Sequence, residues 1–219
     1  MERAGPIRLP ERLSVRDQVL GALRAAIVGG ELPPGSVQSA PALAGRYGVS
    51  ATPVREAMQV LAREGAVEVL PNRGFRIAER SARDLADLAQ VRALLEVPVV
   101  LSLARTLPAA RWEGLRPLAE ATVAAAALGD RGAYAETDRA FHRALLTLSG
   151  NLQLVAVADD LHRRAQWPPS IPSPRPPVRP AALLADATEH SVLLEALIAG
   201  DVRTVESLAR EHFATSAWG

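Results

Sequence analysis

Residues 48–65 read GVSATPVREAMQVLAREG, and the helix that this stretch predicts decides the fold. Ser50 offers a hydroxyl N-cap at its start, and Gly65 follows its end. One side of this helix is apolar and is expected to be buried, with the residues Val54, Met58 and Leu61. Another side carries Ala51, Arg55, Gln59 and Arg63. The helix therefore has one face for packing and another that is open to a partner.

The residues on either side of this helix complete a small domain, which we place at residues 11–80. Upstream, apolar residues at every fourth position predict a helix that stops at a glycine pair, and a short helix follows from Ala40. Downstream, residues 67–70 and 75–77 favour β-strands joined by the turn 71–74. Three helices and a hairpin in this order predict a winged helix-turn-helix, whose third helix enters the major groove of DNA.

The remainder, residues 82–219, predicts a second domain that is entirely helical. Alanine and leucine dominate it, and breaks at proline and glycine divide it into about six helices. Pro98 and Pro117 predict either kinks or helix starts. The proline-rich stretch Pro168–Pro180 cannot sustain a helix, so we expect an extended surface loop. The fold class is thus mostly α, a winged helix-turn-helix followed by an all-α helical-bundle domain.

The amino-acid composition limits the kinds of site and partner that this chain can have. The chain has no cysteine, which excludes disulfides and thiolate metal sites, and every basic residue is arginine. Residues 1–80 carry 11 Arg against 8 Asp and Glu, whereas residues 81–219 carry 14 against 16. A basic front half suits a nucleic-acid reader. No stretch resembles a signal peptide or approaches the roughly 18 apolar residues of a membrane span, so we expect a cytoplasmic protein without a membrane partner.

Residues 19–77 resemble the DNA-binding domain of the GntR superfamily. The resemblance is carried by IVGGELPPGS at residues 27–36 and by LAGRYGVSATPVREAMQVLAREGAVEVLPNRGFRI at residues 43–77. It implies that Arg55 lies on the recognition helix and contacts DNA, and an arginine there can bond two acceptors on a guanine edge. Two positions depart from the family, Ala51 and Pro41, where many members have arginine. Operator affinity or sequence is expected to differ accordingly.

Other polar residues complete the expected DNA interface. Arg73 and Arg76 in the wing are expected to meet backbone phosphate, which adds salt-dependent affinity without reading sequence. The remaining candidates lie on or before the helices: Ser39, Ser50, Thr52 and Gln59. Arg55 could instead form an intrahelical pair with an acidic residue, and the two wing arginines could be merely solvated.

Residues 82–219 resemble the FCD domain, the helical effector domain of the FadR subfamily of GntR regulators. The matching stretches are VRALLE at 91–96, DRAFH at 138–142, SGN at 149–151, EH at 189–190 and EH at 211–212. The resemblance implies that a divalent metal is bound by four residues: Asp138, His142, His190 and His212. Asp138 and His142 are four positions apart on one helix and point the same way. Three imidazoles and a carboxylate favour Zn or Ni over calcium.

Two further polar side chains, His162 and Arg92, are not among the four expected metal ligands. His162 has no counterpart in this pattern, and we expect it at the surface. Arg92 occupies a position where the family commonly has an arginine facing the central cavity, which implies binding of a carboxylate effector. An ion pair between Arg92 and a glutamate of the bundle is the alternative.

The sequence therefore predicts a transcriptional regulator that is not an enzyme. It would bind double-stranded operator DNA as a homodimer, act as a repressor, and respond to a small organic acid. Two alternatives remain open at this point: a metal-dependent hydrolase on a helical bundle, and a DNA-binding dimer whose metal is purely structural.

Overall fold

The computed structural model describes residues 14–168 and 180–215, so the loop predicted between Pro168 and Pro180 lies outside the described residues. The N-terminal part contains the three helices and the hairpin expected from the sequence. Its helices are α1 (Val15–Val28), α2 (Ala40–Tyr47) and α3 (Ala51–Arg63), and its strands are β1 (Val37–Gln38), β2 (Val67–Leu70) and β3 (Gly74–Ile77). The two-residue strand β1 was not predicted, and it extends the hairpin to a three-stranded antiparallel sheet in the order β1-β3-β2.

Side-chain caps and a buried face position helix α3. Ser39 caps α2 by accepting a hydrogen bond from the backbone N–H of Ala42, and Gly48 ends α2 in the left-handed conformation. Ser50 stands at the N-cap of α3, as predicted, but its hydroxyl forms no capping hydrogen bond. The apolar face of α3 is fully buried, with Val54, Ala57, Met58 and Leu61. It packs against α1, which leaves the opposite face exposed.

The C-terminal part is a bundle of helices, as predicted. Its elements are α4 (Ala82–Thr106), α5 (Ala109–Glu113), α6 (Arg116–Ala127), α7 (Arg131–Thr147), α8 (Leu152–Ala165), α9 (Pro180–Ala199) and α10 (Val202–Thr215). The described residues thus hold one helix more than the six expected, because the short α5 follows Pro108. Pro98 lies inside α4, whereas Pro117 lies in the first turn of α6.

Packing within the bundle brings α4, α7, α9 and α10 around one interior. Helix α6 packs against α7 and α9, α10 packs against α4 and α9, and α8 packs against α4 and α7. Phe141 and Leu194 are fully buried in this core. None of the helices within residues 14–168 and 180–215 combines the length and apolarity that a membrane span requires.

The two parts of the chain contact each other directly. Helix α1 packs against α7, and a Cβ atom at Gly132 would lie only 2.9 Å from the Cβ of Ala25, so the close approach depends on glycine. Glu64 follows the last residue of α3 and pairs with Arg24 of α1. The same carboxylate accepts a hydrogen bond of 2.7 Å from Arg163 of α8. The end of α3 is therefore linked by a hydrogen bond to helix α8 of the C-terminal bundle.

Gly74 is expected to be essential to the wing. Its φ of 107° is unfavourable for any other residue, and a Cβ there would lie 2.3 Å from the backbone oxygen of Gln38. We expect Gly74→Ala to lower the free energy of unfolding by about 1–3 kcal/mol, measured by urea denaturation.

The matched control is Gly21→Ala in α1, where the added methyl group has open space around it. Alanine should raise the free energy of unfolding there by up to about 1 kcal/mol, because glycine is a poor helix former. A Gly74→Ala protein as stable as the wild type would show that β1 and β3 do not pack as described.

Candidate metal centre and nucleic-acid interface

The exposed face of α3 carries the polar residues expected to read DNA. Thr52, Arg55 and Gln59 are all exposed, and so is Ser50 at the start of the helix. Within residues 14–168 and 180–215, Arg55 forms no hydrogen bond or ion pair, so the intrahelical pair considered above is not formed there. A free guanidinium on the exposed face of a helix-turn-helix is suited to contact a base edge or a phosphate.

The wing and the start of α2 contribute the remaining candidates. Arg73 is exposed beside Gly74 in the turn between β2 and β3. Arg76 is half-buried on β3 and lies 3.4 Å from the carboxylate of Glu68, an exposed pair that contributes little to stability. Ser39 is exposed but its oxygen already caps α2. All these residues belong to the N-terminal part of the chain.

Three histidines from three helices meet inside the bundle. α7 supplies His142, α9 supplies His190 and α10 supplies His212, and a ring nitrogen of each lies within 4.8 Å of the other two. All three side chains are buried. Asp138 is also buried, one turn before His142 on α7. The structure therefore brings together the four residues that the sequence singled out as metal ligands.

Two outer carboxylates orient the histidine rings. Nδ1 of His142 lies 3.4 Å from Glu96, and Nδ1 of His212 lies 3.0 Å from Glu189. In the tautomer with the proton on Nδ1, each ring donates to its carboxylate and presents an unprotonated Nε2 on its other side. The two Nε2 atoms lie 3.1 Å apart. In that tautomer two lone pairs face each other at this distance, an arrangement that suits a cation between them.

Burial keeps His142 in the neutral form that metal binding requires. Burial lowers the pKa of His142 to about 3, although the neighbouring Glu96 opposes the shift, so the imidazole is neutral at pH 7. Burial alone would raise the pKa of Glu96, but the positive charge of Arg92 lowers it to about 2. A neutral imidazole beside an ionised carboxylate is the arrangement of a metal ligand and its outer partner.

The remaining donors complete a four-atom set. Oδ1 of Asp138 lies 3.2 Å from Nε2 of His190 and 3.7 Å from Nε2 of His142. An ion with four ligands at 2.0–2.1 Å in a tetrahedron separates its ligand atoms by about 3.3 Å. Both ring nitrogens of His190 are buried, and within the described residues neither makes a well-aligned hydrogen bond, although Nε2 lies 3.2 Å from Oδ1 of Asp138. Such an unsatisfied buried ring fits an ion ligand, so this donor set fits a divalent metal.

His162 is not at the surface, and our expectation for it was wrong. The residue is 2% exposed and lies on α8 beside the cluster. Nε2 lies 2.7 Å from Oδ2 of Asp138, and Nδ1 lies 2.8 Å from Nη2 of Arg92. A signal existed in the sequence, because Val155, Ala158, His162 and Ala165 recur every three or four positions and form the buried face of α8.

Arg92 makes the ion pair that the sequence left as an alternative to effector binding. Its Nε donates to Glu96 at 2.9 Å, and the guanidinium lies 5.0 Å from the centre of the Phe213 ring. The side chain is buried. The adjoining void, which is lined by Glu96, His142, His162 and residues of α7 and α8, has no room for a water molecule. Arg92 is thus engaged within the chain at the edge of the metal centre.

Comparisons with known proteins identify the families to which the two parts of the chain belong. Residues 15–77 match the gntR family of bacterial regulatory proteins, and residues 87–215 match the FCD domain. The chain is 30% identical over 208 residues to a protein of Paenarthrobacter nicotinovorans named "Probable D-xylose utilization operon transcriptional repressor", covering 93% of this chain and 87% of that protein. It is 28% identical to the HTH-type transcriptional repressor GlaR of Escherichia coli, covering 88% and 90% of the two chains.

A solved structure supports the same assignment. Escherichia coli McbR/YncC superposes with a TM-score of 0.72 at 27% identity, covering 93% of this chain and 95% of that chain. The matched families and relatives are transcriptional regulators and not enzymes, which removes the hydrolase alternative. The chain therefore belongs to the GntR family of bacterial transcriptional regulators, in the FadR-like subfamily with an FCD C-terminal domain.

Proposed function

We propose that this regulator is a repressor that binds a pseudo-palindromic operator as a homodimer and responds to a small carboxylate in a metal-containing helical domain. The observation that carries the proposal is that one chain combines an exposed polar face on α3 with a buried four-donor centre. Relatives named as repressors support the sign of regulation. A dimer would present two recognition helices to two half-sites.

Direct reading of the operator is assigned to α3. Arg55 would bond a guanine edge, with Gln59 and Thr52 as neighbouring polar contacts on the same face. The uncapped N-terminus of α3, with the free hydroxyl of Ser50, suits a phosphate oxygen. Further phosphate contacts would come from the wing and the start of α2, through Arg73, Arg76 and Ser39.

The homodimer would form through the outer face of α4. Val91 and Leu94 are 47% and 72% exposed there, and a groove beside them is lined by Pro98, Leu101 and Arg105 of the same helix together with Arg210 of α10. Exposed apolar side chains that cluster on one helix are typical of an interaction surface. A second copy of this chain is the partner that two-fold operator recognition requires.

The metal proposed for the centre is Zn or Ni, held by Asp138, His142, His190 and His212. When bound, the ion would offer a Lewis-acid position to an organic acid. An effector carboxylate that reaches Arg92 would have to replace Glu96, because that glutamate already occupies the guanidinium. The effector would therefore favour a state in which this ion pair is open, and its effect cannot exceed its difference in affinity for the two states.

A purely structural metal is the second candidate. The observation that favours it is the tight packing of the centre, where His190 is 1% exposed and the adjoining void is small. In that case metal removal would melt the bundle, and organic acids would leave operator affinity unchanged. Operator titrations with and without a panel of carboxylates distinguish the two roles.

Arg55→Ala is the test of the DNA-binding proposal. Loss of a bidentate contact should weaken specific operator binding by about 1–3 kcal/mol, measured by fluorescence anisotropy with a labelled operator. The matched control is Arg203→Ala, which removes the same charge from an exposed position on α10. Equal operator affinity for Arg55→Ala and the wild type would mean that another helix face reads the DNA.

His190→Ala is the test of the metal centre. Removal of a ligand should weaken binding more than the 10–100-fold that is typical for loss of an outer partner, so we expect more than about 100-fold. Zinc should raise the melting temperature of the wild type and of the control Thr188→Ala, which changes an exposed residue of the same helix, but not that of His190→Ala. A wild-type protein that retains no divalent metal after loading would refute the centre.

Arg163→Gln tests whether the two parts of the chain communicate through Glu64. We expect the wild type to change its operator affinity between the metal-loaded and metal-free forms, and Arg163→Gln to reduce that change, because the bond between α8 and the end of α3 is lost. The control is Arg116→Gln, which breaks ion pairs to Glu113 and Glu195 within the helical domain. If both variants keep the wild-type response, coupling takes another route.

A further inference from the structure

His162 is a fourth buried histidine at the centre, but its geometry differs from that of the three ligand histidines. Both of its ring nitrogens already have partners, since Nδ1 faces Arg92 at 2.8 Å and Nε2 faces Asp138 at 2.7 Å. A guanidinium can only donate hydrogen bonds, so Nδ1 must accept one from Arg92. The proton of the neutral ring is therefore on Nε2, and it is donated to Asp138.

This bond determines which oxygen of Asp138 is available to an ion. Oδ2 accepts from His162 and also from Nε2 of Gln166 at 3.1 Å. Oδ1 is the oxygen that faces Nε2 of His190 and Nε2 of His142. With one oxygen engaged by two donors, the carboxylate can offer only the other to a metal.

The same contacts belong to a connected series of five buried side chains. Arg92 bonds Glu96 as well as His162, and Glu96 also faces Nδ1 of His142 at 3.4 Å. The set therefore runs from Asp138 through His162, Arg92 and Glu96 to His142, and all five side chains are buried. Asp138 and His142, two of the four proposed ligands, are the two ends of this series.

We propose that His162 is a positioning residue of the metal centre: it holds Oδ2 of Asp138 so that Oδ1 binds the ion, and it links that ligand through Arg92 and Glu96 to His142. It does not bind the metal itself, since neither ring nitrogen is free. This inference rests on the proposed metal centre. Loss of such an outer partner typically weakens metal binding by about 10–100-fold.

The test uses the full-length protein with Co²⁺ as a spectroscopic probe for the divalent ion. His162→Leu fills a similar volume but has no polar atom, whereas His162→Gln retains an N–H near the position of Nε2. We expect His162→Leu to weaken Co²⁺ binding by about 10–100-fold and His162→Gln to recover much of that loss. At saturating Co²⁺, the visible absorption of His162→Leu should also shift, because the orientation of the Asp138 ligand changes.

The outcomes separate this inference from the metal proposal. If wild-type protein gives no Co²⁺ spectrum, both proposals are wrong. If the wild type binds Co²⁺ and His162→Leu matches it in affinity and spectrum, only the positioning role is wrong. Equal losses in both variants with unchanged spectra at saturation would also overturn it, because a general loss of packing explains that result. Circular dichroism of each metal-free variant verifies that the helices are folded.

Discussion

The ion pair between Arg92 and Glu96 is the interaction on which the interior of the helical domain depends. The two charges lie one turn apart on α4 and are 4% and 1% exposed. Removing one partner of a buried ion pair typically costs about 3–5 kcal/mol, because the other charge is left without compensation. Each partner also reaches a further group, since Arg92 bonds His162 and Glu96 faces His142. Because its two charges compensate each other, the pair allows a polar cluster to remain buried within an apolar bundle.

Two helices of the bundle, α7 and α8, carry residues of this cluster and also contact the N-terminal part of the chain. α7 carries Asp138 and His142, and near its first turn Gly132 touches α1 of the winged helix-turn-helix. On α8, His162 points to Asp138 while its neighbour Arg163 bonds Glu64 at the end of the recognition helix. A rearrangement at the centre that shifts either helix would therefore also displace residues of the DNA-binding domain. Packed helices move as units, which suits them to transmit small displacements.

Much of this organisation could be predicted from the sequence, since it depends on local spacing. The apolar period of α3, the glycine that ends α2 and the four-residue spacing of Asp138 and His142 are local features, and the structure agrees with each of them. The strand β1 was missed because two residues carry no periodicity, and its pairing with β3 depends on a distant glycine.

The position of His162 was missed for a different reason. Its partners Arg92 and Asp138 come from two other helices, and only the packing of α8 against α4 and α7 brings them to it. The resemblance to the FCD domain placed Arg92 at the central cavity but could not decide between an effector and a glutamate of the bundle. The relevant glutamate lies four positions away, a separation that favours pairing on one helix.

The donor set of the centre contains nitrogen and oxygen only, in a chain without cysteine. Thiolate ligands respond to oxidants as well as to ion supply, since sulfur is oxidised to disulfide or sulfenic acid and releases its metal. Imidazole and carboxylate have no comparable reversible redox chemistry. An ion held by Asp138 and the three histidines would therefore not be released by thiol oxidation, which is the route by which oxidants displace metal from thiolate sites.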